Sequence, residues 1–134
     1  MTEKRLLIAN RGEIALRIIR SAKEMGLYTI AVYSDVDTDS LHVKRADESY
    51  YLGGSLPAES YRNIKNLMKA IEETKADLVH PGYGFLAENA DFAKAVQKKG
   101  VTWIGPDPET IKSMGDKIES RKLISKAGVQ PVPG

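Results

Sequence analysis

The sequence predicts an open α/β domain, in which helices cover both faces of a parallel β-sheet. Two observations carry this prediction. Short apolar runs typical of strands alternate with longer amphipathic segments between residues 5 and 104. The amphipathic segments are about three helical turns long, which suits crossover connections between parallel strands.

Five segments have the residue content of strands. Residues 5–9 form a continuous apolar run typical of a buried strand, and residues 28–33 are rich in β-branched and aromatic side chains. The other predicted strands are 48–52, 76–80 and 101–104. A polar turn region follows the second strand and contains the acidic residues Asp35, Asp37 and Asp39.

Three segments between the strands have helical periodicity: 12–25, 64–74 and 89–99. In the first of them, one apolar face is predicted to consist of Ile14, Ile18, Ala22 and Met25. Gly26 and Gly100 follow two of these helices at the position where glycine commonly ends a helix.

The last thirty residues have a different pattern. Asp107 and Pro108 favour the start of a short helix that Gly115 interrupts, and a second helix, from Asp116, is expected to end before Gly128. The proline-containing tail then has no strand to pair with, as in a chain cut from a longer one. We therefore predict an α/β domain over residues 1–105 and a short helical linker over residues 106–134.

Composition excludes several functional classes. The chain has 134 residues, 42% of them hydrophobic, and a formal net charge of +2 with both signs scattered along it. Nucleic-acid and membrane binding by a basic patch need clustered charge, so neither is expected. The absence of cysteine rules out disulfides, thiolate zinc sites and thiol nucleophiles, and a cytoplasmic location is the default expectation. No window approaches the ~20 apolar residues of a membrane span.

In open α/β sheets ligands bind at the carboxyl ends of the strands, so the loops after the first and fourth strands are the candidate sites. The first loop contains Asn10, Arg11 and Glu13 but only one glycine, Gly12. A dinucleotide fingerprint needs three glycines, and Glu13 occupies the helix end where a phosphate would bind. Nicotinamide binding is therefore disfavoured, and a structural role for these polar residues is favoured.

The second loop, residues 80–89, places Tyr83 between Gly82 and Gly84. Glycines let a backbone approach a ligand closely, and Tyr83 offers a ring face and a hydroxyl. A ligand-binding role and a simple chain turn remain equally open for Tyr83, whereas a structural role is favoured for His80. Only one other histidine, His42, is present, so a metal cluster has little support, and no G-x-S-x-G elbow indicates a serine hydrolase.

Lys117 is the third candidate. A cation in the first turn of a helix is disfavoured by roughly 0.3 to 1 kcal/mol relative to an anion, so its predicted position is locally unfavourable. It has either a ligand outside the chain or an ordinary solvated position offset by Asp116 and Glu119. The charge pattern leaves both open.

The motifs taken together, in order and with their spacing, closely resemble the N-terminal part of biotin carboxylase, the ATP-grasp component of acetyl-CoA, propionyl-CoA and pyruvate carboxylases. The resemblance runs over essentially the whole chain. It is carried by the segments IANRGEIA (8–15), HPGYGFLAEN (80–89), WIGP (103–106), MGDK (114–117) and VPG (132–134). One small departure is Ala87, where many members carry serine.

The resemblance implies a Rossmann-like domain that precedes an ATP-grasp module. It also implies a reaction in which ATP activates bicarbonate as carboxyphosphate and the carboxyl group passes to biotin. The implied cofactors are ATP, Mg²⁺ or Mn²⁺, and biotin. The implied partners are a biotin carboxyl carrier protein, a carboxyltransferase and a second copy of the full-length enzyme. The family's metal ligands and catalytic base lie beyond Gly134, so no catalytic or metal-binding residue is expected in these 134 residues.

Residue by residue, the resemblance matches Lys117 to an ATP-contacting lysine and Tyr83 and Gly84 to the edge of the biotin pocket. Its remaining site residues match the family's dimer interface: Arg17, Arg20 and Glu24. An ordinary solvated helix face is the competing interpretation for those three. At the level of function, the alternative to part of a carboxylase is a stand-alone module that binds a small ligand or a partner without catalysis.

Overall fold

The computed structural model describes residues 4–114, and in this range it confirms the α/β fold class. One sheet contains five strands in the order 3-2-1-4-5, and every neighbouring pair is parallel. The strands are β1 (Arg5–Ile8), β2 (Tyr28–Ser34), β3 (Glu48–Gly53), β4 (Leu78–His80) and β5 (Thr102–Trp103).

Four helices connect the strands: α1 (Gly12–Glu24), α2 (Leu41–Arg45), α3 (Ile64–Thr74) and α4 (Ala90–Lys98). The prediction of α3 is confirmed to the residue, and α1 and α4 are confirmed to within one residue at each end. Helix α2 was not predicted, because five residues are too few to establish a helical period. The same is true of three 3₁₀ turns, which are Asp35–Asp37, Pro57–Glu59 and Phe85–Glu88.

Residues 108–114 are also helical, as the sequence predicts for the segment after Asp107. The carboxylate of Asp107 accepts a hydrogen bond from the backbone N–H of Thr110 at 2.9 Å, which is a side-chain N-cap. The predictions for Gly115, for the helix after Asp116, for Lys117 and for the tail fall outside the described residues. The division at residues 105 and 106 therefore stays a prediction.

β4 is shorter than predicted because Ala76, the first residue of the predicted strand, contributes to the C-cap of helix α3. Lys75 adopts a left-handed conformation with φ of 55°, and the N–H of Ala76 bonds back to the carbonyl of Ile71 at 3.1 Å. These contacts are a helix C-cap, so the chain turns through residues 75 and 76 before it can extend. Strand pairing consequently begins at Leu78 rather than at Ala76.

The core lies on both faces of the sheet, as alternation along β1 shows. Leu6 and Ile8 pack against α1, whereas Leu7 belongs to the larger cluster formed with α3 and α4. Because side chains of a strand alternate between faces, an uninterrupted apolar run is what a strand covered on both sides requires. Within the described residues, no helix has the length and apolarity of a membrane span.

The buried face of α1 differs from the predicted one. The residues that pack fully against the sheet are Ala15, Ile19 and Ala22, while Ile14 and Ile18 are only partly buried. Met25 follows the last helical residue and is 75% exposed, so its assignment to the core face was wrong. The contact with the sheet is centred on Ala15, Ile19 and Ala22, so Ile14 and Ile18 lie at its edge.

The strand order locates a topological switch point. From β1 the chain proceeds through β2 to β3 on one side of the sheet, whereas β4 and β5 lie on the other. The loops that leave β1 and β4 therefore run to opposite faces of the sheet, and such a switch point is where open α/β sheets bind ligands. The two loops chosen from the sequence are the ones that border it.

We expect the replacement Leu67→Ala to lower the free energy of unfolding by roughly 2 to 5 kcal/mol, since it leaves a cavity in the larger core cluster. Urea unfolding can be followed through Trp103, the single tryptophan, which is buried edge-on against Phe92. Leu56→Ala removes the same atoms from an exposed position and is the matched control. Equal losses in the two variants would contradict the assigned core.

Candidate functional site

The loops after β1 and β4 are joined by one buried side chain, that of Asn10. Its Nδ2 donates to the carbonyl oxygens of Pro81 at 2.9 Å and Tyr83 at 2.7 Å. Its Oδ1 accepts from the N–H of Arg11 at 2.8 Å. The prediction that Asn10 has a structural role is confirmed by these contacts, and they extend to the second candidate loop.

The backbone of the β4 loop lies directly on this asparagine. Gly82 has φ of 69°, and a Cβ at this position would lie 2.6 Å from Nδ2 of Asn10. The N–H of Gly82 also donates to Nδ1 of His80 at 3.1 Å, and burial lowers the pKa of His80. His80 is thus a neutral, hydrogen-bonded residue at the strand end, which confirms the structural role that the sequence favoured for it.

Tyr83 and Gly84 face outward from this fixed base. Tyr83 is 77% exposed, and a Cβ at Gly84 would meet no atom within 4 Å. A groove of about 540 Å³ begins beside Tyr83. Its lining is mainly apolar, with Ile14, Ile18 and Ile104 among its members. The arrangement offers a ring face, a hydroxyl and an open backbone edge to a ligand.

The three residues that the resemblance matches to a dimer interface all lie on α1, and their role in an interface stays a prediction. Arg17 lines the groove beside Tyr83, whereas Arg20 and Glu24 are exposed on α1 and do not line it. Among residues 4–114, none of the three forms an ion pair. Their charges are therefore available to a partner surface, and Arg17 connects that surface to the groove.

A second polar cluster surrounds the carboxylate of Asp37. Arg11 donates two hydrogen bonds to it, from Nε and Nη2, both at 2.6 Å. The hydroxyls of Tyr61, at 2.6 Å, and Ser40, at 3.1 Å, donate as well. The guanidinium of Arg11 and these hydroxyls hold the pKa of Asp37 well below its usual range, although burial opposes the shift. The carboxylate is ionised and its side chain is 3% exposed.

The predicted polar turn after β2 is confirmed as the 3₁₀ turn Asp35–Asp37. Asp37 itself is buried, and its burial was not predicted. It comes from a charge-rich segment in which Asp35 and Asp39 are indeed exposed. The sequence contains no signal that distinguishes the middle carboxylate, because its main partners, Arg11 and Tyr61, are more than twenty residues away. Tyr61 was missed for the same reason.

Tyr61 links the Asp37 cluster to the far side of the β4 loop. Its ring packs against that of Phe85 with centroids 5.3 Å apart. Phe85 is one of two residues other than glycine with positive φ in the described range, so its backbone depends on this anchoring. The loop that carries Tyr83 is thus held by Asn10 at one end and by Phe85 at the other.

His42 is buried beside the same cluster. Its Nε2 contacts the carbonyl of Val32 at 3.1 Å, and burial lowers its pKa. In the described part of the chain no group of three or more histidine, aspartate or glutamate residues is placed to hold a metal ion. Lys117, the predicted ATP contact, lies outside that part.

Fold and site together define an open α/β domain with a ligand-accessible loop at its topological switch point. Residues 2–111 match the family described as biotin carboxylase, N-terminal domain. The chain belongs to this family.

Individual relatives agree with the family match. The mitochondrial propionyl-CoA carboxylase alpha chain of Mus musculus is 52% identical over 133 residues, which are 99% of this chain and 18% of that protein. Human mitochondrial pyruvate carboxylase is 49% identical over 132 residues, or 98% of this chain and 11% of that protein. The biotin carboxylase domain dimer of Hydrogenobacter thermophilus 2-oxoglutarate carboxylase, solved with ADP, magnesium and bicarbonate, has a TM-score of 0.82. It is 46% identical and is matched over all of this chain and 29% of its own.

These shares of the relatives' length are small. The chain spans less than a fifth of the two curated relatives, so their complete activities are not contained in the matched region. The comparisons confirm the family resemblance that the ordered motifs indicated.

We expect Asp37→Asn to lower the free energy of unfolding at pH 7 by about 2 kcal/mol. Breaking a fully buried ion pair costs roughly 3 to 5 kcal/mol, and the loss here is smaller because Arg11 is half exposed. Asp37 has a lowered pKa in the folded state, so its stabilisation is complete above the unfolded pKa of about 3.9 and is lost as the pH falls below it.

Urea unfolding of the native chain and of Asp37→Asn between pH 3 and pH 8 measures the difference in their free energies of unfolding. This difference should shrink below about pH 4. Asp39→Asn makes the same change at an exposed carboxylate and should have little effect at any pH. A difference between Asp37→Asn and the native chain that does not vary with pH would contradict an ionised Asp37.

Proposed function

We propose that these residues form the N-terminal domain of a biotin carboxylase, which uses ATP and bicarbonate to carboxylate biotin on a carrier protein. The observation that carries the proposal is the β4 loop. It matches the family's biotin-pocket edge, and its Tyr83 side chain is exposed beside a groove while its backbone is fixed from beneath. A ring that must contact a mobile carrier-bound ligand needs this combination of access and rigidity.

In this proposal the domain supplies one wall of the site. Tyr83 and Gly84 border the biotin position, and Lys117 contacts ATP. ATP and bicarbonate together supply the activated carboxyl group. The described residues hold no cluster suited to Mg²⁺ or Mn²⁺, so the metal ligands belong to the ATP-grasp module that follows this domain in the proposed enzyme.

The proposed enzyme is a homodimer that works with a biotin carboxyl carrier protein and a carboxyltransferase. The support for the dimer is the set Arg17, Arg20 and Glu24 on α1, which are exposed and form no ion pair with residues 4–114, together with the dimeric state of the Hydrogenobacter thermophilus domain. The proposed location is the cytoplasm, on the evidence of a cysteine-free composition.

A phosphate-release assay tests the proposed function. The 134-residue chain should release no phosphate from ATP above a buffer blank, because the described residues contain no metal cluster and no phosphate clamp is expected in this part of the family's sequence. The extended protein, which we define as these residues joined to the remainder of a biotin carboxylase domain, should hydrolyse ATP in a bicarbonate-dependent reaction that free biotin stimulates. An extended protein that is folded but insensitive to bicarbonate and biotin would refute the proposal.

Lys117→Gln in the extended protein should weaken the use of ATP by roughly 10- to 150-fold, since hydrogen bonds to charged groups contribute about 1.5 to 3 kcal/mol. The same change removes a cation from a predicted helix N-terminus, so stability should be unchanged or slightly higher. The Michaelis constant for ATP and the urea midpoint measure the two effects. Lys112→Gln, in the helical residues just before, is the matched control. A native Michaelis constant for ATP in Lys117→Gln would rule out the nucleotide contact.

A further inference from the structure

The side-chain amide of Asn10 both donates and accepts hydrogen bonds. Two donations go to the carbonyls of Pro81 and Tyr83, and one acceptance comes from the N–H of Arg11. The residue is 1% exposed, so water does not compete for these groups. The N–H of Arg11 requires Oδ1 on its side, and the two carbonyls require Nδ2 on theirs, which fixes the orientation of the amide.

Only an amide of this length satisfies all three partners. A carboxylate has the same shape but no donor, and it would place negative charge against two carbonyl oxygens. An alanine would leave both carbonyls without their partner. The amide therefore holds the Pro81–Gly82 and Tyr83–Gly84 peptide units, and Gly82 between them has no Cβ that would block the approach.

The Tyr83 ring receives no comparable support of its own. Its hydroxyl makes no hydrogen bond to residues 4–114, and the side chain is largely exposed. The position of the ring is consequently set by the backbone of Tyr83. The carbonyl of that backbone accepts the 2.7 Å hydrogen bond from Nδ2 of Asn10.

We propose that Asn10 is a positioning residue for the biotin site: its amide fixes the backbone of Tyr83 so that the ring stands at the mouth of the groove. This inference rests on the proposed function and adds to it a residue from the β1 loop that does not itself touch biotin. It also explains why the two loops of the switch point act as one wall.

Asn10→Asp in the extended protein tests the proposal, because it removes the donors while keeping the shape. The Michaelis constant for free biotin should rise at least about tenfold, the order expected when buried hydrogen-bonding groups lose their partner. The Michaelis constant for ATP should stay within about twofold of the native value, since the side-chain hydrogen bonds of Asn10 within residues 4–114 go only to the β4 loop and to its neighbour Arg11.

Asn89→Asp is the matched control. Asn89 caps α4 through Oδ1, which accepts from the N–H of Phe92 at 2.9 Å, and its Nδ2 makes no hydrogen bond in the described structure. Aspartate caps helices as well as asparagine does, so this variant should keep native constants for biotin and ATP.

Each outcome decides the matter. A biotin constant in Asn10→Asp within about twofold of the native one overturns the positioning role, as does a rise in the ATP constant as large as that for biotin. Should Asn10→Asp fail to fold, Asn10→Ala, which adds no charge, is measured instead with the same expectations. An unsubstituted extended protein without any biotin stimulation refutes the proposed function itself, and this result is obtained before any variant is made.

Discussion

The buried carboxylate of Asp37 is the interaction on which the carboxyl edge of the sheet depends. Through Arg11 it holds the loop after β1, and through Tyr61 it holds the segment before α3 and the Phe85 end of the β4 loop. A buried charge is tolerated only when it is paired and hydrogen-bonded, and here four donated bonds satisfy it. The loops that follow the four strands β1 to β4 are therefore fixed relative to one another by this network.

The periodic elements were predictable from the sequence, and the polar network was not. Helix α3 and the strand pattern follow from local apolar spacing, which neighbouring residues determine. The pairing of Asp37 with Arg11 and Tyr61 joins residues 24 to 26 positions apart, and only the strand order brings them together. For the site, motif resemblance selected Tyr83 and Gly84, but no pattern indicated that Asn10 holds them. Helix α2 was too short for any period to reveal.

Gly82 and Gly84, the two glycines beside Tyr83, have opposite roles that the sequence alone does not distinguish. Gly82 is packed so tightly on Asn10 that a side chain has no room, whereas Gly84 has open space where its Cβ would be. Both have positive φ, yet the first permits a contact within the protein and the second leaves an edge for a ligand. The loop is thus rigid on its inner side and accessible on its outer side.

Helix α1, like the β4 loop, has a buried side and an accessible side. Its residues Ala15, Ile19 and Ala22 pack against the sheet, whereas the partly buried Ile14 and Ile18 line the groove. The groove is mainly apolar and is bordered by the exposed Tyr83 and by Arg17, which forms no ion pair with residues 4–114. Exposed apolar surface of this kind commonly marks a binding site. In the proposed enzyme the groove lies between the biotin edge and the dimer face. A ligand held at Tyr83 and a partner held at Arg17 would therefore border the same groove, which both side chains line.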